Sequence, residues 1–326
     1  MIHSGRRFAW GVRLAVLGAC LASTAGCASR RASSGWVDAP YPVLEPSSST
    51  RIMLVAGGDD VANFAQEVAH QRQIWRRAGI AAADIACYWA KPTPAGRHAD
   101  RRQYDALGDE MSRCGEASAA VVLDDIERVA SSAPSYFYLY VTAHGVASLG
   151  GDARTWVLPA EEQAFLAQPA LALDADPAVR VGDTNALLRA YATRSRRVDR
   201  IALTPASLRT ALAAFPPSTH KIVVLQGCFS GGFLRGADAL TGLPNTTVLT
   251  AAAADRPSFG CGSGTRETFW GAAMGRELGE RVHPGVSPDE LVWHDVYVDV
   301  SRRVRKLERA LGQRQSHPQF GQSSTP

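Results

Sequence analysis

Between Lys221 and Gly232 four apolar, mostly β-branched residues, Ile222 to Leu225, run without interruption into a turn rich in glycine. A short apolar run of this kind predicts a strand buried on both faces, which in turn demands a sheet covered by other elements. Gly227, Gly231 and Gly232 let the backbone turn sharply and come close to a ligand, and Cys228 sits among them. Two readings of Cys228 stand at this point. It is a small apolar residue packed at a strand end, or it is a reactive thiol presented there.

A second run bears on that choice. Ser135 to Gly145 is apolar and aromatic and closes on His144-Gly145, upstream of the cysteine. Parallel strands deliver their carboxyl ends to one edge of a sheet, so the histidine and the cysteine are expected to meet. There an imidazole can take a thiol proton, and a backbone N–H can meet a developing oxyanion.

Gln226-Gly-Cys-Phe-Ser-Gly231 resembles the nucleophile motif of caspase-like cysteine peptidases, and among them the legumain-type family; His144-Gly145 is similar to that family's His-Gly. The likeness spans residues 51–320. It implies an α/β fold, a caspase-like three-layer αβα sandwich on a mainly parallel sheet. It implies Cys228 as nucleophile, His144 as general base and acid, and the N–H groups of Gly145 and Cys228 as oxyanion donors. Asn63, seven residues after Ala56, matches an asparagine thought to orient the histidine, although by itself it reads as an ordinary polar or capping residue. The resemblance implies a peptide or protein substrate and no cofactor. Gln226, Ser258 and Phe259 match positions that wall the primary pocket.

The sequence departs from the family where asparagine is recognised. Ala65-Gln66 stand where legumains carry Arg-His, and Gln226 stands for their glutamate. Asparagine specificity is therefore not expected. A ligase working through the same acyl-enzyme, and a peptide-binding lipoprotein without activity, are the alternatives to a peptidase. A serine-hydrolase elbow is excluded because Cys228 occupies the place of its first glycine, and there is no H-E-x-x-H, Walker or dinucleotide fingerprint.

Residues 1–26 carry Arg6, Arg7 and Arg13, then an apolar stretch and the small residues Thr24-Ala25-Gly26 before Cys27. This pattern predicts an export signal rather than a membrane span. It resembles a bacterial lipoprotein box, which makes Cys27 the lipidated residue and the membrane a partner through that anchor. Cys20 would leave too short a hydrophobic segment; cleavage without lipidation is the other reading. A cell-envelope location results, on the periplasmic face of the outer membrane in a Gram-negative cell. Losing the signal takes the net charge from +4 to about +1. Such a near-neutral chain is not expected to bind nucleic acid. Residues 27–50 read as the lipidated cysteine and a flexible tether, and 51–320 as one domain with an insertion near 148–200.

Within that domain strands are expected near 52–56, 84–89, 136–143, 222–227 and 246–251. Helices are expected over 61–77, 118–131 and 204–214, and from a capping box at Ser287 to Leu311. Lys91 to Arg102 reads as a solvated loop. The insertion, with Glu161 and Glu162, is either a substrate wall or a surface excursion. Cys87 and Cys114 are either bonded or free, and Cys261 is a pocket residue or a packing group.

Overall fold

The computed structural model describes residues 49–92, 94–147, 167–173, 202–262 and 264–323. The signal segment, Cys27, most of the tether, and most of the insertion with Glu161 and Glu162 lie outside these residues. The strands are β1 (Thr50–Ala56), β2 (Ile85–Trp89), β3 (Gly115–Glu116), β4 (Tyr136–Thr142), β5 (His144–Val146), β6 (Ala170–Ala172), β7 (Ala202–Leu203), β8 (His220–Gln226), β9 (Thr246–Thr250) and β10 (Gln319–Gln322). The helices are α1 (Asn63–Ala78), α2 (Pro94–Ala99), α3 (Arg101–Met111), α4 (Ala119–Ser131), α5 (Pro205–Leu212), α6 (Phe269–Arg281) and α7 (Trp293–Ala310).

Seven strands form the main sheet in the order β10-β9-β8-β4-β1-β2-β3. All pairs are parallel except β10 on β9, so the chain has the expected mainly parallel α/β sandwich. Side-chain alternation divides the core into two layers. Ile52, Leu54, Tyr138, Tyr140, Ile222 and Val224 face α1, α3, α6 and α7. Met53, Val55, Phe137, Leu139, Val223 and Leu225 face α4 and α5. The central strands are buried on both faces, which is why their sequences are continuous apolar runs rather than alternating ones.

Local chemistry explains the helix starts. Ser118 caps α4 by accepting from Val121 N, and Thr204 and Ser207 form a reciprocal capping box on α5, with Pro205 in the first turn. Two expectations are corrected. The stretch from Lys91 to Arg102 is largely helical rather than a loop, because Tyr104, Leu107 and Met111 supply an apolar stripe just beyond the charged residues and bury it. Ser287 makes no capping bond. Pro288–Glu290 form an isolated 3₁₀ turn, and α7 begins afresh at Trp293, whose indole donates to Pro288 O (3.0 Å) and stacks on Tyr138.

Cys87 and Cys114 form a disulfide that ties β2 to the turn before β3. No described helix is long and apolar enough to cross a membrane.

Candidate active site

β1, β4 and β8 end level with one another. Ala56 is in register with Thr142, and Thr142 with Gln226. The segment leaving each strand therefore emerges at one edge: Gly57 to Asp60 after β1, His144 after β4, and Cys228 after β8. Two further bonds extend the ladder past the strands, Gly57 N to Thr142 O (2.8 Å) and Ala143 N to Gln226 O (3.2 Å). At Ala143 the chain leaves the main sheet, and β5, β6 and β7 make a small antiparallel sheet with His144 opposite Ala172.

The turn that carries Cys228 is held tightly. Phe229 adopts a left-handed conformation (φ 60°, ψ 10°), which costs a non-glycine residue about 1–2 kcal/mol and persists only where surroundings impose it. They do so here: Phe229 N donates to Arg256 O (2.9 Å) and Gly231 N to Ala252 O (2.8 Å). Ser230 Oγ accepts from Ala252 N at 3.2 Å. The turn is thus bolted to the segment after β9. From the other side Gly145 presses on Cys228 so closely that any side chain at 145 would collide with the Cys228 backbone.

The sulfur of Cys228 lies 3.3 Å from Ser258 N, which donates to it, and 3.6 Å from Ser258 O. The Cys228 thiol is pulled down to about 6, chiefly by the Cys261 hydrogen bond, with help from Ser258 N–H and the nearby His144 charge and against the opposing effect of burial. Cys261 is pushed the other way by that same hydrogen bond, by burial and by the Cys228 charge.

His144 is 6 % exposed, with its ring edge-on to Phe64 at 4.9 Å. Its Nε2 is 2.8 Å from Asp60 Oδ1. A carboxylate only accepts, so Nε2 carries a hydrogen, and in the neutral ring Nδ1 keeps the lone pair. Nδ1 has no hydrogen-bond partner among the described residues. The imidazole's partner is thus Asp60 and not Asn63. Asn63 is fully buried at the start of α1 and turns the other way, donating to Gly260 O (2.7 Å) and Thr265 Oγ1 (3.1 Å).

The expected pocket residues divide. Ser258 touches Cys228 Sγ through its backbone. Phe259 packs near Phe269, ring centres 6.4 Å apart. Gln226 is 1 % exposed, its Oε1 3.0 Å from Thr142 Oγ1. Thr142 Oγ1 in turn lies 2.6 Å from Glu67 Oε2. Glu67, wholly buried, also accepts from Tyr140 OH (2.7 Å) and Thr268 N (2.7 Å). Burial raises its carboxyl above the ordinary value. The Thr142 hydroxyl lies between Glu67 Oε2 and Gln226 Oε1, with one hydrogen to give to either acceptor. This ties three elements together directly beneath the site.

Sequence reasoning misses two residues of the site, Asp60 and Glu67, and leaves Cys261 open between a pocket and a packing group. Asp60 carries a signal, a carboxylate in the glycine turn at the end of a central strand. Glu67 carries none, since an acid in the first turns of a helix is ordinary. The described residues contain no group of histidine, cysteine and acid side chains fit to hold a metal ion.

No family model matches the chain, and no curated protein sequence matches it. It is similar to the crystal structure of protein GSU0716 from Geobacter sulfurreducens, at 11% identity and TM-score 0.47, over 85% of this chain and 94% of that one. It is also similar to caspase-1 from Spodoptera frugiperda, at 12% identity and TM-score 0.38, over 85% of this chain and 90% of that one. At such scores no residue role is carried over from either.

Proposed function

We propose that the chain is a caspase-like cysteine peptidase, of legumain type by its motifs, which cleaves peptide bonds through an acyl-enzyme on Cys228. The observation that carries this is the convergence of a depressed thiol, an imidazole with a free Nδ1 and the Gly145 backbone at the level ends of β4 and β8. In the proposed cycle His144 Nδ1 takes the proton of the Cys228 thiol as the sulfur attacks the scissile carbonyl carbon. The oxygen takes up negative charge facing the N–H groups of Gly145 and Cys228. His144 Nδ1 delivers the proton to the leaving amine, then takes one from the water that frees the acid product. Asp60 holds the ring and keeps the hydrogen on Nε2.

The side chain of Gln226 is spent on Thr142, and Ala65 and Gln66 stand where a legumain places its charged pair. The proposed specificity is accordingly tolerant of small or uncharged residues, without strong preference for asparagine. Lipidation at Cys27 would hold the enzyme at the cell envelope.

The test is an electrophilic peptide and a peptide library offered to the purified domain. Labelling at Cys228 with library cleavage, both abolished in Cys228→Ala, is the expected result. Cleavage that survives in Cys228→Ala removes the proposal, and labelling without hydrolysis but with transfer to added amines replaces it by a ligase.

A further inference from the structure

Beside the Cys228 turn lies a cavity of about 370 Å³. Pro169, Pro205, Gly232 and Ala254 give it a mostly apolar wall, built from the segments that frame the cysteine. Gly232 belongs to the turn itself, four residues after Cys228, and a β-carbon there would lie 2.3 Å from Pro169 Cγ. Pro169 leads into β6, whose partner β5 carries Gly145. Ala254 follows the segment in which Ala252 O accepts from Gly231 N. Ser258 and Phe259, the expected walls of the primary pocket, take no part in lining the cavity. The turn thus has two distinct neighbourhoods, Ser258 against the sulfur and the cavity against Gly232. The polar groups of the cavity are largely spent on one another. Gln168 Nε2 donates to Asp238 Oδ2 (2.9 Å), and Gln168 Oε1 accepts from Ala206 N (3.0 Å) in the first turn of α5. Arg235 is exposed, and its guanidinium has no ion pair or hydrogen bond among the described residues. Apolar walls with one uncommitted cation suit a ligand that joins an apolar body to a carboxylate.

We propose that this cavity binds the leaving half of a substrate chain, taking an apolar side chain from the residue after the cut bond and a carboxylate just beyond it, paired with Arg235. That this half is the leaving one rests on the peptidase proposed above; the affinity for an apolar group beside a carboxylate does not. An acyl-enzyme keeps the half before the bond on Cys228, with Ser258 and Phe259 as its expected walls. The departing half then has the Gly232 side, where the cavity offers apolar surface in place of water. The carboxylate has two sources, an acidic side chain or the end of the chain, and both present the same group to Arg235. Asp238 opposes this preference, but one of its oxygens is already held by Gln168, whereas Arg235 is uncommitted. An exposed guanidinium contributes little per pair, so the preference for acid is modest and the preference for an apolar residue is larger.

Peptides identical up to the cut bond are offered to the purified protein, ending in Leu-Glu-amide, Leu-Gln-amide, Leu-Lys-amide, Gly-Glu-amide, or Leu-Gln with a free carboxylate. With leucine rather than glycine after the bond, kcat/KM is expected to rise about tenfold or more. Leu-Glu-amide is expected to exceed Leu-Gln-amide about threefold to fivefold. A gain from glutamate alone assigns the carboxylate to a side chain, and a gain from the free terminus alone assigns it to the chain end; either supports the pairing with Arg235. Arg235→Gln should erase the acid preference and Arg235→Lys should keep most of it, with the leucine preference retained in both. Indifference to the residues after the bond, or a preference for lysine over glutamate, overturns the proposal while leaving the peptidase in place. Saturation-transfer NMR with free Leu-Glu-amide and Leu-Gln-amide needs no turnover. Stronger transfer to Leu-Glu-amide, levelled in Arg235→Gln, with no peptide cleaved, keeps the cavity's ligand and removes the peptidase. No transfer to either dipeptide and no cleavage removes both.

Discussion

Gly145 touches Cys228 backbone to backbone: a β-carbon added at 145 would lie 1.8 Å from the Cys228 carbonyl oxygen and 2.6 Å from its nitrogen. No relaxation of a flexible side chain can relieve that overlap, because both atoms belong to a turn bolted elsewhere. Gly145→Ala is therefore expected to push β5 and the Cys228 turn apart. Turnover and labelling of Cys228 should fall about 100-fold or more, the scale of one lost oxyanion donor. An alanine variant with unchanged labelling would show that the turn is not rigid.

Asp60 separates a charge effect from a tautomer effect. Asp60→Ala leaves His144 free to rotate and to place its hydrogen on either nitrogen, and peptide cleavage is expected to fall about 100-fold. Asp60→Asn keeps an acceptor for Nε2–H and should lose markedly less. Asn63→Ala should instead act through the segment around Gly260, raising KM more than it lowers kcat. Equal losses in kcat for Asp60→Ala and Asn63→Ala would contradict the hydrogen bonds seen at His144.

The pH dependence of Cys228 is set by its neighbours. Its thiol is lowered to about 6, so the rate of alkylation should rise with pH through that value and level off above it. The largest cause is the hydrogen bond from Cys261. Removing that donor in Cys261→Ala destabilises the thiolate, so the midpoint should move to higher pH, toward an ordinary thiol near 8.5. Alkylation rates across pH, with the peptide identified by mass, read this directly. An unmoved midpoint would mean that Ser258 N–H and His144 suffice.

Glu67 makes a prediction about stability. Its carboxyl is raised in the folded chain, mainly by burial, so its favourable contribution is complete below the unfolded value of about 4.3. That contribution is lost progressively as pH rises from there through the raised folded value. Glu67→Gln cannot ionise. Urea midpoints of the wild type should therefore fall relative to Glu67→Gln on going from acid to mildly alkaline pH. Parallel midpoints at every pH would show that the glutamate is as comfortable folded as unfolded.

The Cys87–Cys114 bond closes a loop between residues 27 apart in sequence. A cross-link over a loop of that order stabilises by about 3 kcal/mol through the unfolded chain. The Cys87→Ala, Cys114→Ala double variant should lose that much in urea unfolding while its Cys228 labels as before. A loss well under 1 kcal/mol would mean that the reduced unfolded chain is already restrained there.

Wherever a residue's role is set by its own stretch of chain, the sequence is enough. The runs ending at Ala56, Thr142 and Gln226 are apolar on both faces, and only a covered parallel sheet can use such strands. Once their carboxyl ends are known to align, His144 and Cys228 must share an edge. Ser118 and Thr204 cap the helices that begin just after them because capping is decided within four residues. Lys91 to Arg102 misleads for the same reason. Its charges are local, whereas the apolar stripe that makes a helix of the neighbouring segment begins only at Tyr104. Partners distant in sequence are decided by the tertiary structure alone. His144 meets Asp60, 84 residues away, rather than Asn63, because the glycine turn after β1 passes the end of β4 while the first turn of α1 faces the Gly260 segment. Cys228 meets Ser258 because the chain beyond β9 folds back over the turn that carries the cysteine. A hydrogen bond depends on ångströms and on direction, and neither is written into spacing along a chain whose intervening turns are set by the packing of everything else.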